Sequence, residues 1–144
     1  MKGLEIQIFF NSKKVKSECP SIRNKEIQQA LMFFIEEKNI PQKVNIVFVD
    51  NPFIRKLNAK FRKIDKATDV LSFNYGKEDN QGEIYISVQY LKEHLNKADD
   101  LLTYSVEHLI VHGMLHLAGY GHETEKDASK MEKMEEKILE RLGD

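Results

Sequence analysis

The segment LLTYSVEHLIVHGMLHLAGYGH, residues 101–122, joins a long apolar run to three regularly spaced histidines. From about residue 101 to residue 118 the run is apolar on nearly every side, which predicts a largely buried helix. Gly119 follows, and glycine is the residue that most often ends a helix in the left-handed conformation. The segment therefore predicts a central buried helix with a sharp turn at its C-terminal end.

The spacing of the histidines predicts a metal site. His112 and His116 are four residues apart, so on a helix they lie on one face and can bind the same ion, and the turn at Gly119 allows His122 to join them. The spacing H-x3-H-x5-H, with glycine at the eighth position, matches the metzincin pattern at every fixed position except the catalytic glutamate. Gly113 stands in the place of that general base. The pattern therefore indicates a metal hydrolase that is not an ordinary peptidase.

The other two histidines, His94 and His108, are interpreted as core residues. A single straight helix could carry His108, His112 and His116, but those positions spread over about 12 Å and cannot converge on one ion. We therefore expect the ligands to be His112, His116 and His122.

Three neutral imidazoles leave a fourth coordination position open, which is typical of a catalytic zinc site rather than a structural one. Zinc held in this way lowers the pKa of bound water to about 7 or polarises a substrate oxygen. One zinc ion is therefore the expected cofactor, although histidine ligands also accept nickel, copper or iron.

Length and composition predict one soluble globular domain over residues 1–144, with 41% hydrophobic and 31% charged residues. The single cysteine, Cys19, excludes an intramolecular disulfide and fits a reducing compartment. Glu5 and Gln7 interrupt the apolar residues near the start, which is unlike a signal peptide, and no apolar run has membrane-spanning length. We therefore expect a cytoplasmic protein without a membrane partner.

Periodicity predicts an α+β fold: a small mixed four-stranded sheet packed with about five helices, the metal-bearing helix being central. The predicted strands cover residues 4–8, 44–49, 66–73 and 83–86, and the predicted helices about 24–35, 52–62, 88–98, 101–118 and 125–142. We expect the third and fourth strands to form a hairpin, and an irregular stretch to follow the first strand.

The second predicted helix and the loop after it are strongly basic although the net charge of the chain is only −1. Six cations there face a single acid, Asp65: Arg55, Lys56, Lys60, Arg62, Lys63 and Lys66. Such a run can attract a phosphate backbone, but it more often serves solubility. The apolar residues Phe53, Leu57 and Phe61 of this helix are expected to point inward.

Four motifs, in this order, resemble those of the YbeY endoribonucleases, the bacterial rRNA maturation factors: LNAKFRKID at 57–65, TDVLSF at 68–73, GEI at 82–84 and the segment 112–122. The resemblance spans most of the chain. It implies a metal-dependent endoribonuclease specific for single-stranded RNA. The implied partner is ribosomal RNA of the small ribosomal subunit, matured at its 3′ end, with a further role in ribosome quality control.

The resemblance also implies roles for individual residues. It places one zinc ion on His112, His116 and His122, and it matches Arg62 to the family's functional arginine, which is expected to meet RNA phosphate. The expected catalytic residues are therefore Arg62, His112 and His116.

The chain departs from the family pattern at two positions. Gly121 stands where the family usually has aspartate, which removes a carboxylate from the site, and Asn74 stands where proline is common. Asp69 and Glu123 are candidate bases, but Asp69 could equally cap the edge of a strand. Two alternatives stay open: a zinc peptidase with an unusual base, and a non-enzymatic ribosome-assembly protein whose metal only joins the last two helices.

Overall fold

The computed structural model describes residues 4–95 and 102–143. The strands in these ranges form one sheet and are β1 (Glu5–Phe10), β2 (Lys43–Val49), β3 (Val70–Asn74) and β4 (Gln81–Ser87). Their order is β1-β2-β4-β3, with β1, β2 and β4 parallel and β3 antiparallel to β4. The predicted mixed four-stranded sheet and the β3–β4 hairpin are confirmed.

Seven α-helices and a 3-10 turn at Glu37–Asn39 accompany the sheet in the described ranges. The helices are α1 (Lys13–Glu18), α2 (Asn24–Phe34), α3 (Asn51–Arg62), α4 (Gly76–Asp79), α5 (Val88–His94), α6 (Leu102–Leu117) and α7 (Glu125–Leu142). None of them is both long and apolar enough to cross a membrane. The α+β prediction is confirmed, with α1 and α4 as short additions.

The stretch after β1 was expected to be irregular, but it contains α1. Ser12 caps this helix by accepting a hydrogen bond from the backbone N–H of Val15 at 3.1 Å. Val15 is the buried residue of α1. One buried position in six residues leaves no helical period to detect.

The inward face of α3 differs from the prediction. Ile54 and Asn58 are buried, whereas Phe53 and Phe61 are 39% and 50% exposed. The Asn58 side chain donates to the carbonyl of Lys66 at 2.9 Å and so holds the loop that follows α3. The buried face of α3 is therefore centred on Ile54 and Asn58 and not on the aromatic residues, because one of its inward positions is polar.

The boundaries of two elements differ from their predictions. The third strand begins at Val70 rather than at residue 66, because the side chain of Asp69 accepts from the backbone N–H of Val70 at 2.7 Å. The helix after Ser87 is confirmed, with the Ser87 hydroxyl accepting from the N–H of Tyr90 at 3.2 Å. This helix ends at His94 rather than near residue 98, because Leu95 has an extended backbone. The last residues predicted for it, residues 99 and 100 between the two predicted helices, and the first residue of the metal helix lie outside the described residues.

The two faces of the sheet bury different amounts of apolar surface. On one face, α6 packs beneath α7 and against the sheet, within a large cluster of buried residues that includes Ile46, Ile84, Ile110, Met114 and Leu115. On the other face, α3 covers a small cluster made by Val49, Ile54 and Leu71. Helix α6 is thus central and buried, as predicted.

Candidate metal centre

Helix α6 and the turn after it bring three side chains to one point. His112, His116 and His122 each offer a nitrogen, and these three atoms lie within 4.8 Å of one another. The Nε2 atoms of His112 and His116 are 3.1 Å apart. Two nitrogens bound to a tetrahedral zinc ion at 2.0–2.1 Å lie roughly 3.3 Å apart. The three histidines can therefore hold one metal ion.

The turn that returns His122 to the helix depends on Gly119. Its φ is +99°, in the region that favours glycine. The N–H of Gly119 donates to the carbonyl of His116, and the N–H of Tyr120 donates to the carbonyl of Leu115, both at 3.0 Å. These bonds satisfy carbonyls at the helix end. The left-handed turn predicted at Gly119 is confirmed.

Burial is the main cause of a lowered pKa at His116, and the neighbouring rings of His112 and His122 lower it further. A hydrogen bond with the backbone of Tyr120 and the charge of Glu135 act in the opposite direction. The lowered pKa favours the neutral imidazole, which is the form that binds a metal ion.

A carboxylate that the sequence analysis missed holds the first histidine in place. Glu135 of α7 is only 8% exposed, and its two oxygens lie 2.7 Å from Nδ1 of His112 and 2.7 Å from Nε2 of His108. Because a carboxylate only accepts, Nδ1 of His112 carries the hydrogen and leaves Nε2 free to face the other histidines. The sequence does contain a sign of this role: Glu135 is a charged residue on the buried face of α7, between Met131 and Ile138.

Neither of the remaining histidines is a core residue, contrary to expectation. The side chain of His108 is 43% exposed and is bound by Glu135. His94 is exposed, stacks on Tyr90 at 4.0 Å between ring centroids, and its Nδ1 lies 2.8 Å from the carbonyl of Tyr90. Each histidine has apolar residues near it in the sequence, and this pattern alone does not show that its own side chain faces solvent.

The histidines open into a cleft of about 530 Å³. The residues that line it are Arg62, Asp69, Val70, Leu71, Ser72, Asn74, His112, His116, Leu117 and His122. The structure thus brings Arg62 to the histidines despite their separation in sequence. Its Nη2 donates to the carbonyl of Ser72 at 2.9 Å, and its Cζ lies 5.0 Å from the ring centroid of Phe73. A cation therefore stands beside the histidines.

The candidate bases differ in their placement. Asp69 lines the cleft and also caps β3 through the N–H of Val70. Glu123 is exposed and does not belong to the described residues that line the cleft. Asn74, which replaces the family's common proline, donates to the carbonyl of Leu117 at 3.0 Å. Asn74 therefore links β3 to the end of the metal helix.

Gly113 stands where the metzincin pattern has glutamate, and Gly121 stands where the family pattern usually has aspartate. These two glycines have opposite surroundings. A Cβ on Gly113 would lie 2.9 Å from Cδ1 of Ile84 and 3.0 Å from Oγ of Ser72. The glutamate of a peptidase has no room there, because the helix packs directly on β3 and β4 at this point. A Cβ on Gly121 would meet nothing within 4 Å.

Known proteins share this arrangement of sequence and fold. The family model of the endoribonuclease YbeY matches residues 7–143. An endoribonuclease YbeY of Desulforamulus reducens is 46% identical over 110 residues, which cover 69% of this chain and 72% of that protein. One from Caldanaerobacter subterraneus subsp. tengcongensis is 39% identical over 135 residues, covering 81% and 85%.

A solved structure extends the likeness to the fold. The solution structure of TM1509 from Thermotoga maritima is 27% identical in sequence and superposes with a TM-score of 0.60. The match covers 95% of this chain and 88% of that one. Sequence and fold agree: the chain belongs to the endoribonuclease YbeY family.

Proposed function

We propose that this chain is a zinc-dependent endoribonuclease that cleaves single-stranded RNA and acts in 3′-end maturation of small-subunit ribosomal RNA and in ribosome quality control. The observation that carries the proposal is the shared cleft, in which three convergent histidines face an arginine. Family membership supports the RNA substrate, and the absence of a thiolate from the three-histidine group favours a catalytic site over a structural one.

His112, His116 and His122 would hold the zinc ion. When bound there, the ion would supply Lewis-acid chemistry for phosphodiester cleavage, by polarising a phosphate oxygen and offsetting developing negative charge. The chain supplies the precision: Glu135 fixes the ring of His112, and the packed helix α6 fixes the spacing of His112 and His116.

Arg62 is assigned to the RNA phosphate. Its bond to the carbonyl of Ser72 uses one of its five donors and anchors the side chain at the edge strand. Donors that remain can bind the non-bridging phosphate oxygens, which is the geometry that guanidinium groups match best. Such a preorganised cation stabilises the transition state more than the ground state, where the charge is smaller.

Proton transfer does not require the glutamate that peptidases use, because RNA carries its own nucleophile in the 2′-hydroxyl. Asp69 is the carboxylate of this cleft that could accept a proton from that hydroxyl or from water. Its capping bond to Val70 occupies one lone pair of Oδ1 and fixes its orientation.

Two other functions make different predictions. A peptidase would need a base that the contacts around Gly113 exclude from the usual position. A ribosome-assembly protein with a purely structural metal would lose thermal stability on chelation, while RNA cleavage by the untreated protein would stay at background.

The test compares the purified full-length protein with His116→Ala, Arg62→Ala and His94→Ala, using a labelled single-stranded RNA and elemental analysis. We expect metal-dependent cleavage by the wild type and by the His94→Ala control, and loss of both metal and cleavage in His116→Ala. Arg62→Ala should keep the metal and lose most cleavage. Equal cleavage by His116→Ala and wild type would disprove the proposal.

A further inference from the structure

Four aromatic rings form a continuous row on the α3 face of the sheet. Phe53 stacks on Tyr85 at 6.2 Å between centroids, Tyr85 meets Phe73 edge-on at 5.9 Å, and Phe73 meets Phe61 edge-on at 5.2 Å. We call these four residues the aromatic row. Two of them come from α3 and two from the β3–β4 hairpin, so the row joins a helix to the sheet.

The row is only partly covered by the protein. Phe53 is 39% exposed and Phe61 is 50% exposed, although both rings are large and apolar. Tyr75, next to the row, is 48% exposed. The exposed rings of Phe53 and Phe61 lie at the two ends of the row, with Phe73 and Tyr85 half-buried between them. A group of partly exposed aromatic rings is uncommon on a surface that contacts only water, and it usually marks a binding surface.

Hydrogen bonds hold Tyr85, which lies inside the row between Phe53 and Phe73. The carboxylate of Glu83 accepts from the hydroxyls of both Tyr75 and Tyr85. Burial raises the pKa of Tyr85 to about 12, and the charge and hydrogen bond of Glu83 add to the effect. Tyr85 therefore stays a neutral donor, and Glu83 is engaged by two hydroxyls instead of facing outward alone.

Cations lie against Phe61, at one end of the row, and against its neighbour Phe73. Nζ of Lys60 lies 5.2 Å from the ring centroid of Phe61, and Cζ of Arg62 lies 5.0 Å from that of Phe73. Lys60 also borders a groove along α3 that is lined by Lys56 and Lys66, and by Arg55, which is paired with Asp65 of the same groove. Rings with adjacent cations suit a nucleic-acid strand, because bases stack on the rings while phosphates meet the cations.

The row is continuous with the metal cleft through the edge strand. Along β3, Ser72 and Asn74 line the cleft, whereas Phe73 between them points to the opposite face and joins the row. Arg62 belongs to both, since it lines the cleft and lies over the ring of Phe73. A strand bound in the cleft therefore needs only to cross the edge of the sheet to reach Phe61.

We infer that the aromatic row stacks unpaired bases of the RNA that flank the cleavage position, and so gives the enzyme its preference for single-stranded substrate. This inference rests on the proposed function for the identity of the substrate. Duplex RNA keeps its bases stacked inside the helix, and so offers phosphates to the cations but no base faces to the rings.

Binding can be measured apart from cleavage. The probe is a labelled 2′-O-methyl oligouridine of about 12 nucleotides, which lacks the 2′-hydroxyl nucleophile, and it is compared with a base-free 2′-O-methylribose-phosphate oligomer of the same length. Fluorescence anisotropy is recorded with the zinc-loaded protein for wild type, Phe61→Leu, Phe61→Trp and Phe53→Leu. Phe33→Leu is the matched control, because Phe33 is 60% exposed on α2, which packs against α7.

We expect Phe61→Leu to weaken oligouridine binding roughly five- to tenfold, Phe53→Leu to weaken it less, and Phe61→Trp to retain it. The base-free oligomer should bind the wild type more weakly than oligouridine and should not distinguish Phe61→Leu from wild type. Phe33→Leu should behave as wild type. Circular dichroism confirms that each variant is folded.

Two results would overturn the inference: unchanged oligouridine binding by both Phe61→Leu and Phe53→Leu, or equal wild-type affinity for the base-free and base-bearing oligomers. The first result would mean that the aromatic row binds another partner, such as a protein. The second would mean that RNA is bound through its phosphates and not through its bases. Failure of the proposed function is separate, because it would appear as absent metal-dependent cleavage while base-dependent binding persists.

Discussion

The two faces of the sheet show how one small fold separates rigidity from adaptability. On the α6 face, Ile84, Ile110 and Met114 are completely buried, and two of the three candidate metal ligands, His112 and His116, are carried by a helix packed into that core. On the α3 face, Phe53 and Phe61 stay partly exposed above a cluster of three buried residues.

The difference agrees with the ligand that we propose for each face. The distance from each ligand atom to a metal ion must stay within a few tenths of an ångström of its ideal value, which requires a densely packed support. A flexible RNA strand varies in sequence and conformation, so it is better met by exposed rings and long cationic side chains. The edge strand β3 belongs to both faces, and Arg62 lies at the boundary.

The largest effect should come from removing a ligand on the rigid face. In His116→Ala we expect RNA cleavage to fall by more than about 100-fold and bound zinc to be lost. The measurement is single-turnover cleavage together with metal content. His94→Ala, which removes an exposed histidine from α5, is the control and should keep both.

Substitution of Arg62, at the boundary between the two faces, should lower the cleavage rate without loss of the metal ion. In Arg62→Ala we expect kcat to fall roughly 100- to 1,000-fold with unchanged zinc content, since one stabilising donor to the transition state is removed. Arg62→Lys should recover part of the rate because it restores charge but not the planar donor pair. A parallel loss of zinc in Arg62→Ala would mean that the arginine supports the metal site instead.

Substitution of Glu135 should lower the affinity for zinc more than it lowers the stability of the fold. Glutamine at this position cannot accept hydrogen bonds from both His108 and His112 with equal strength, so His112 loses its fixed orientation. We expect Glu135→Gln to weaken zinc affinity about 10- to 100-fold in competition with a chelator. The exposed neighbour Glu136 provides the control, and equal affinities in the two variants would contradict the role given to Glu135.

The smallest effect is a test of packing between helix and sheet. Alanine normally stabilises a helix interior relative to glycine, but at Gly113 its Cβ would press on Ile84 and Ser72. We expect Gly113→Ala to lower the free energy of unfolding by about 1–2 kcal/mol in urea denaturation. Gly121→Ala, where nothing lies within 4 Å, should leave it nearly unchanged.

Local patterns were sufficient for most of the fold. The strand predicted over residues 4–8 and the helices predicted to begin near residues 24, 88 and 125 each correspond to an element that the structure contains. Prediction failed where the local signal was absent or misleading, as in α1 with its single buried residue and in α3, whose exposed aromatic residues were expected to point inward. Aromatic residues mark a core only when something covers them.

For the candidate site, the sequence alone determined the histidine group, because helical spacing and a left-handed glycine are local properties of the chain. Only the tertiary structure showed how the surrounding side chains are placed: Glu135 from α7, which no pattern predicted, Arg62 from α3, which the family motif named without its position, and the contact that leaves no room beside Gly113. These depend on how distant elements pack against one another. Spacing along a chain specifies neighbours on one helix, whereas packing specifies neighbours across the molecule.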